Sequence, residues 1–167
     1  HSMEEFPEFF SERDLKLYRQ CLNRLDQWWG CIEKMPRTLI HNDFNPRNIA
    51  FRRDDKGLRL CAYDWELATL HLPQHDLAEL LGFTLFDPLD KEQVNRYIEF
   101  HRTELERFTG QKIDPRIWRK GYHLSLLDLL VNRLPMYVMA HTFRHYKFME
   151  RVLRTFRELL NLEGEDL

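Results

Sequence analysis

The chain has 167 residues, 43% of them hydrophobic, with 12 Phe, a formal net charge of −2 and a pI near 6.5. A chain of this size buries roughly 70% of its unfolded surface, enough for one domain with a real core. The charge balance excludes the basic surplus that nucleic acid or an anionic membrane would call for, and no apolar run approaches the ~20 residues of a membrane span.

His1-Ser2-Met3 reads as the remnant of a cloning scar before a start Met, and residues 4–167 as one domain. No signal peptide is visible, and three cysteines (Cys21, Cys31, Cys61) without CxxC spacing indicate reduced thiols in a cytoplasmic protein. Glu12 to Lys34 carries Leu15, Tyr18, Leu22, Leu25, Trp28, Trp29 and Ile32 at three-to-four spacing, which predicts one amphipathic helix capped by Ser11. Thr38-Leu39-Ile40 is a short apolar, strand-like run. Asn48–Arg53 and Leu58–Tyr63 read as strands joined by Asp54-Asp55-Lys56-Gly57, whose composition fits a hairpin turn.

After Asp64 the expectation is almost entirely helical. Helices are predicted from Gln74 to Phe86, from Asp90 to Phe108, and from Asp114-Pro115, in cap-then-proline order, to Val131. Pro135 should interrupt or kink the pattern. Val138 to Leu160 reads as a final long helix, with 163–167 as a frayed end.

Between the first helix and the hairpin lies His41-Asn42-Asp43-Phe44-Asn45-Pro46-Arg47-Asn48, an H-x-D-x-x-x-x-N pattern, and the second strand ends in Tyr63-Asp64-Trp65-Glu66. An Asp and an Asn five apart, followed by a second Asp after a strand, match the arrangement of kinase-type phosphoryl transfer. There Mg²⁺ neutralises the phosphates and takes hard oxygen ligands. The hairpin would bring Asn48 and Asp64, as metal ligands, to adjacent strand ends, with Asp43 on the acceptor side.

The segment His41–Leu81 resembles the aminoglycoside phosphotransferase and choline kinase-like family, a branch of the protein-kinase-like fold. His41-Asn42-Asp43 with Asn48, Asp64-Trp65-Glu66 and Asp76-Leu77-Ala78 carry the resemblance. Asn42 stands where many bacterial members have Gly, as it also does in choline kinase-like members.

The resemblance implies an α+β, mainly helical fold: the C-terminal lobe of such a kinase with a catalytic β-hairpin. It implies Asp43 as catalytic base, Asn48 and Asp64 as Mg²⁺ ligands, and His41 and Asp76 as supports of the loop. ATP would be the phosphoryl donor and a small-molecule hydroxyl the acceptor. Arg47 is a candidate phosphate contact or a solvated surface residue. Glu66 is a candidate for an indirect role near metal or acceptor, or for a structural hydrogen bond.

Acidic residues (Asp87, Asp90, Glu104, Asp128) and aromatic faces (Trp28, Trp29, Trp65, Trp118, Tyr122, Tyr137) raise a cationic acceptor as a hypothesis, although core packing explains most of the aromatics better. The six glycines are too scattered for a Gly-rich nucleotide loop. The N-terminal nucleotide lobe is therefore expected to be missing, and the exposed lobe face is a candidate dimer surface. The rival reading is a non-catalytic interaction or regulatory module derived from such a lobe; a metal-dependent phosphate-ester hydrolase ranks below both.

Two histidine pairs have i, i+4 spacing. His141 and His145 should share a helix face as a solvated or aromatic-packed pair, with zinc a minor reading, because Thr142 replaces the Glu of HExxH. His71 and His75 flank Pro73 and are not expected to share a helix face.

Overall fold

The computed structural model describes residues 9–55 and 57–164. The His1–Met3 start, Lys56 of the expected turn and the end of the expected frayed tail lie outside the described residues. Among the described residues the chain is mainly helical, with two small antiparallel sheets.

Helix α1 (Glu12–Asn23) begins with a reciprocal cap. The Asp14 N–H donates to Ser11 Oγ at 3.3 Å, and the Ser11 N–H donates to the Asp14 carboxylate at 2.6 Å. The single helix expected over 12–34 in fact breaks at Arg24 (φ −113°, ψ 15°), and α2 (Leu25–Lys34) restarts from there. The Trp28 indole N–H donates to Cys21 O at 2.9 Å. That carbonyl would accept from Leu25 in a continuous helix, so one aromatic side chain serves the end of α1 while its own ring enters the core.

Strand β1 (Thr38–Ile40) pairs antiparallel with β4 (Thr69–His71), in the register Thr38↔His71 and Ile40↔Thr69. After Asp64, where the expectation is almost entirely helical and names no strand, the chain first makes a 3₁₀ turn at Trp65–Leu67 and then β4. Three residues are too few to show a period-2 pattern, and the pairing is made by a segment some thirty residues away.

Strands β2 (Ile49–Asp54) and β3 (Gly57–Ala62) form the expected hairpin, each one residue displaced from its expected start and end. Gly57 closes it with φ +113°, a conformation side chains resist.

The helical body comprises α3 (Gln74–Thr84), α4 (Lys91–Thr109), α5 (Pro115–Asp128), a π-helical turn (Leu129–Arg133), α6 (Leu134–Phe143) and α7 (Met149–Glu163). Asp90 and Asp114 cap α4 and α5, each accepting from two backbone N–H groups of its first turn. Pro135 has no N–H and would crowd the carbonyl four residues back. The chain answers with the wider π turn just before it, closed by the Leu134 N–H on Leu129 O, and continues as helix.

The long final helix expected over 138–160 is instead two helices separated at 144–148. The Tyr146 N–H donates to His141 Nδ1 at 2.9 Å, which closes the reversal. Glu163, expected to fray, is the last residue of α7, and its carboxylate is buried against Arg119 at 2.5 and 2.7 Å.

Helix α3 packs against α5 and α7 at the centre of the body. Close approach to α7 depends on Gly82, where a Cβ would stand 2.3 Å from the Phe156 ring. Around it Leu72, Leu81, Tyr122, Leu126, Leu127, Leu129, Phe156 and Leu159 form one core with Ile32 and Trp28 of α2. Cys21, Cys31 and Cys61 are free thiols. No described helix is long and apolar enough to cross a membrane.

Candidate active site

The loop between β1 and β2 is short of backbone partners of its own, and α3 supplies them. The N–H groups of His41 and Asn42 donate to the two oxygens of Asp76 at 2.7 and 2.9 Å, and the Phe44 N–H donates to Glu79 Oε2 at 2.7 Å. Asp76 and Glu79 are three apart on one helix, hence on one face. The His41 ring is fully buried, with Nε2 2.8 Å from Tyr63 O at the end of β3 and Trp65 beside it at 4.7 Å between ring centroids.

Asn42 adopts φ +61°, the left-handed region that Gly and Asn tolerate best, and its side chain donates to Leu67 O at 3.1 Å. A Gly-to-Asn exchange at this position is thus compatible with the backbone.

Asp43 is the convergence point. Its Oδ1 accepts from Asn45 Nδ2 at 2.8 Å, from the Tyr137 hydroxyl at 2.7 Å and from Arg133 Nη2 at 2.5 Å; its Oδ2 accepts from Asn48 Nδ2 at 2.7 Å. Burial pushes this carboxyl up, but the Tyr137 hydroxyl, the Arg133 guanidinium and the Asn48 amide outweigh it and hold it below its ordinary value. Glu79, fully buried, is pushed up by desolvation against the pull of Arg133, whose Nε stands 3.5 Å away.

Asn48 also donates to Asp43 O at 2.9 Å. Two acceptors on the same side fix which end of the amide faces Asp43, so its carbonyl oxygen is the atom Asn48 can offer a cation.

The root of the hairpin sets the rest. The Tyr63 N–H donates to Asn48 O at 3.0 Å, and Asp64 follows in an exposed, left-handed conformation (φ +64°, ψ +55°). An Asp held there stores backbone strain, a trait that clusters at functional sites. Asn48 and Asp64 therefore flank one strand pairing, two hard oxygen donors of the kind Mg²⁺ takes.

A comparison with protein-family models matches residues 3–110 to the phosphotransferase enzyme family, well over half of the chain. The chain belongs to that family. Neither the curated proteins nor the solved structures compared with it give a match. The matched segment runs from before α1 to the end of α4 and contains Asp43, Asn48, Asp64, His41, Asp76, Arg47 and Glu66. Two groups that hold Asp43, Arg133 and Tyr137, lie beyond it.

The remaining candidates fall in different places. Arg47 is exposed: its guanidinium donates to Asn45 Oδ1 at 3.2 Å and to the Tyr137 hydroxyl at 3.3 Å, near the Tyr137 and Phe148 rings. Glu66 sits exposed in the 3₁₀ turn after Asp64. Of the four carboxylates raised for a cationic acceptor, Asp90 caps α4, Glu104 pairs with Arg107, and Asp128 is buried against His75.

Trp28, Trp118 and Tyr122 are core residues, whereas Trp65 and Tyr137 belong to the site. His145 lies past the end of α6, so the pair with His141 shares no helix face, although the rings meet at 4.5 Å.

Sequence reasoning missed Glu79 and Arg133 and placed Tyr137 only among aromatic faces. Glu79 carried a signal: it follows Asp76 by three residues on a predicted helix. Arg133 carried none.

Proposed function

We propose that this chain supplies the catalytic half of an ATP-dependent phosphotransferase that moves the γ-phosphate to a hydroxyl of a small molecule. The family membership supports transfer of a phosphoryl group, and one observation supports the finer reading. Asp43 is kept ionised by four donors at the point where the loop, the hairpin and α6 meet.

Asp43 orients the acceptor hydroxyl and takes its proton. Asn48, through its carbonyl oxygen, and Asp64, through its exposed carboxylate, hold Mg²⁺. When bound, Mg²⁺·ATP supplies the phosphoryl group and neutralises its charge. His41 and Asp76 keep the loop in register, with Glu79 beside them. Arg47 and Glu66 flank the approach and are proposed to touch phosphate or acceptor.

The fold read this way is the C-terminal lobe of a protein-kinase-like enzyme. The exposed apolar residues of the hairpin and of the β1–β4 pair (Phe51, Leu58, Leu60, Leu39 and Leu70) give the nucleotide lobe a surface to rest on. The same surface would serve a dimer.

A second reading, a non-catalytic interaction module, is favoured by one feature. Arg133 and Tyr137 both occupy Asp43 Oδ1, and an Asp so fully bonded takes up a proton poorly until one of them moves. Calorimetric titration of Mg·ATP into the chain, with Asp64→Ala as control, separates the two. Binding lost in the variant supports the enzyme; no binding to either protein means that the lobe is incomplete or silent, and supports the module only where it persists with a nucleotide lobe supplied. In the protein that turns over, Asp43→Ala and Asp64→Ala each abolish activity, and unchanged turnover in either ends the assignment.

A further inference from the structure

His71 and His75 do not share a helix, yet the fold brings them together. His71 ends β4, where pairing with Thr38 fixes its backbone, and His75 lies in the first turn of α3. Their rings meet at 4.9 Å and both face Asp128, the last residue of α5. His75 Nε2 is 3.1 Å and His71 Nε2 3.6 Å from the same oxygen, Asp128 Oδ2, and one ligand atom from each residue lies within 4.8 Å of the others.

Tetrahedral zinc with bonds of about 2.0–2.1 Å needs ligand atoms about 3.3 Å apart. The separations of 3.1 and 3.6 Å from Asp128 Oδ2 bracket that edge.

A plain hydrogen-bonded triad does not account for the cluster. Asp128 Oδ2 makes one good bond, to His75, while Oδ1 is taken by the Asn132 amide. His71 Nε2 is buried, 3.6 Å from the same oxygen, and has no hydrogen-bond partner among the described residues, in a residue only 9% exposed. Burying a ring nitrogen against a carboxylate without a bond is unfavourable. A cation between the three atoms would satisfy all of them at once.

We propose that His71, His75 and Asp128 form a site for a borderline divalent cation, zinc above all, with the fourth position left to solvent at the His71 edge. Two imidazoles and one carboxylate make a donor set that suits zinc and is too nitrogen-rich for Mg²⁺. The site is distinct from Asn48 and Asp64. Its place in the fold suggests its use. His75 immediately precedes Asp76, which holds the loop, and Asp128 immediately precedes the π turn that ends in Arg133, which holds Asp43. An ion here ties the two supports of the candidate active site to each other.

The test is titration of the chelator-stripped chain with Zn²⁺ in competition with a zinc-sensitive dye. Trp29, whose ring lies 6.1 Å from His71, serves as an intrinsic fluorescence reporter. The expected result is one tight equivalent that millimolar Mg²⁺ does not displace, with a melting temperature that rises with zinc.

His71→Ala and Asp128→Asn should each weaken binding by more than the roughly 10–100-fold typical of outer-sphere changes. His71→Cys, which keeps a zinc ligand, should restore it. Asp64→Ala and His145→Ala should leave it unchanged. Because His71 stands at the edge of the core, its variants are read alongside their metal-free melting curves, and the cysteine variant separates lost folding from lost ligation. No saturable equivalent in the wild type overturns the proposal. So does zinc binding that survives both His71→Ala and Asp128→Asn, or that disappears in His145→Ala.

Discussion

The helical body and the β2–β3 hairpin are built from similar apolar residues but treat them in opposite ways. In the body Leu126, Phe156 and Leu159 are completely enclosed, whereas in the hairpin Phe51 and Leu58 are more than 60% exposed. The body closes on itself; the hairpin stands out from it with both faces open. The candidate active site lies on the seam. Asp43 and its loop are held by the body, through Asp76, Glu79, Arg133 and Tyr137, while Asn48 and Asp64 sit at the root of the hairpin. The residue proposed to face the acceptor is thus fixed by the protein's own core. The proposed metal ligands stand at the border of an exposed apolar surface.

The largest effect expected from this contrast is in the core. Leu126→Ala removes a fully buried side chain among α3, α5 and α7 and should cost about 3–5 kcal/mol, as large-to-small core changes do when the site cannot collapse. Urea denaturation measures it. A loss below about 1 kcal/mol would mean that the body is packed far more loosely than its burial implies.

The link between body and loop comes next. Asp76→Ala removes two charge-assisted acceptors, at 2.7 and 2.9 Å, from the His41 and Asn42 N–H groups. Bonds to charged groups contribute about 1.5–3 kcal/mol each, and the loop stays partly solvated, so about 3 kcal/mol is expected for the pair. Hydrogen exchange should quicken at those two amides before it does in α5. Equal quickening in both would show that the loop and the body unfold as one unit.

What the sequence disclosed follows the same division. The motif Asp43, Asn48 and Asp64 was legible because its parts lie within a loop and one hairpin, where local spacing fixes geometry. Ser11, Asp90 and Asp114 announced their helices for the same reason. Arg133 and Tyr137 were not legible as partners of Asp43, because they lie some ninety residues further on and reach it only through the packing of the π turn and α6.

The break at Arg24 depends on one indole choosing Cys21 O. The break after α6 depends on His141 accepting a backbone N–H five residues on. Neither contact leaves a trace in hydrophobic spacing. His71 and His75 were set aside because Pro73 lies between them, and only the pairing of β4 with β1 makes them converge on Asp128.

A smaller effect tests the electrostatics of the seam. Asp43 and Asp128 both lie below their ordinary value of 3.8 in the folded chain. A depressed carboxyl contributes stability above its unfolded value, and that stability is lost as pH falls through the folded one. The contribution of these two should therefore be constant from pH 7 to 5 and decline below about pH 4. Glu79 runs the other way: its raised value makes its contribution present at low pH and lost as pH rises. The informative quantity is accordingly the difference between wild type and Asp43→Asn, followed by melting temperature. That difference should shrink as pH falls below 4, and a difference independent of pH would show that Asp43 gains nothing from being ionised.

The smallest effect on stability carries the most information about the open face. Phe51→Ala removes an aromatic side chain that is 66% exposed, opposite Leu60 in the hairpin register. It should change the stability of the chain by no more than about 0.5 kcal/mol, the range of ordinary surface substitutions. If the hairpin is the resting surface of a nucleotide lobe, the same substitution should weaken association with that lobe, because aromatic residues enclosed at an interface carry a large share of its energy. A loss of several kcal/mol in the isolated chain would mean that Phe51 already packs on something in solution, and a concentration-dependent melting temperature would identify that partner as a second copy.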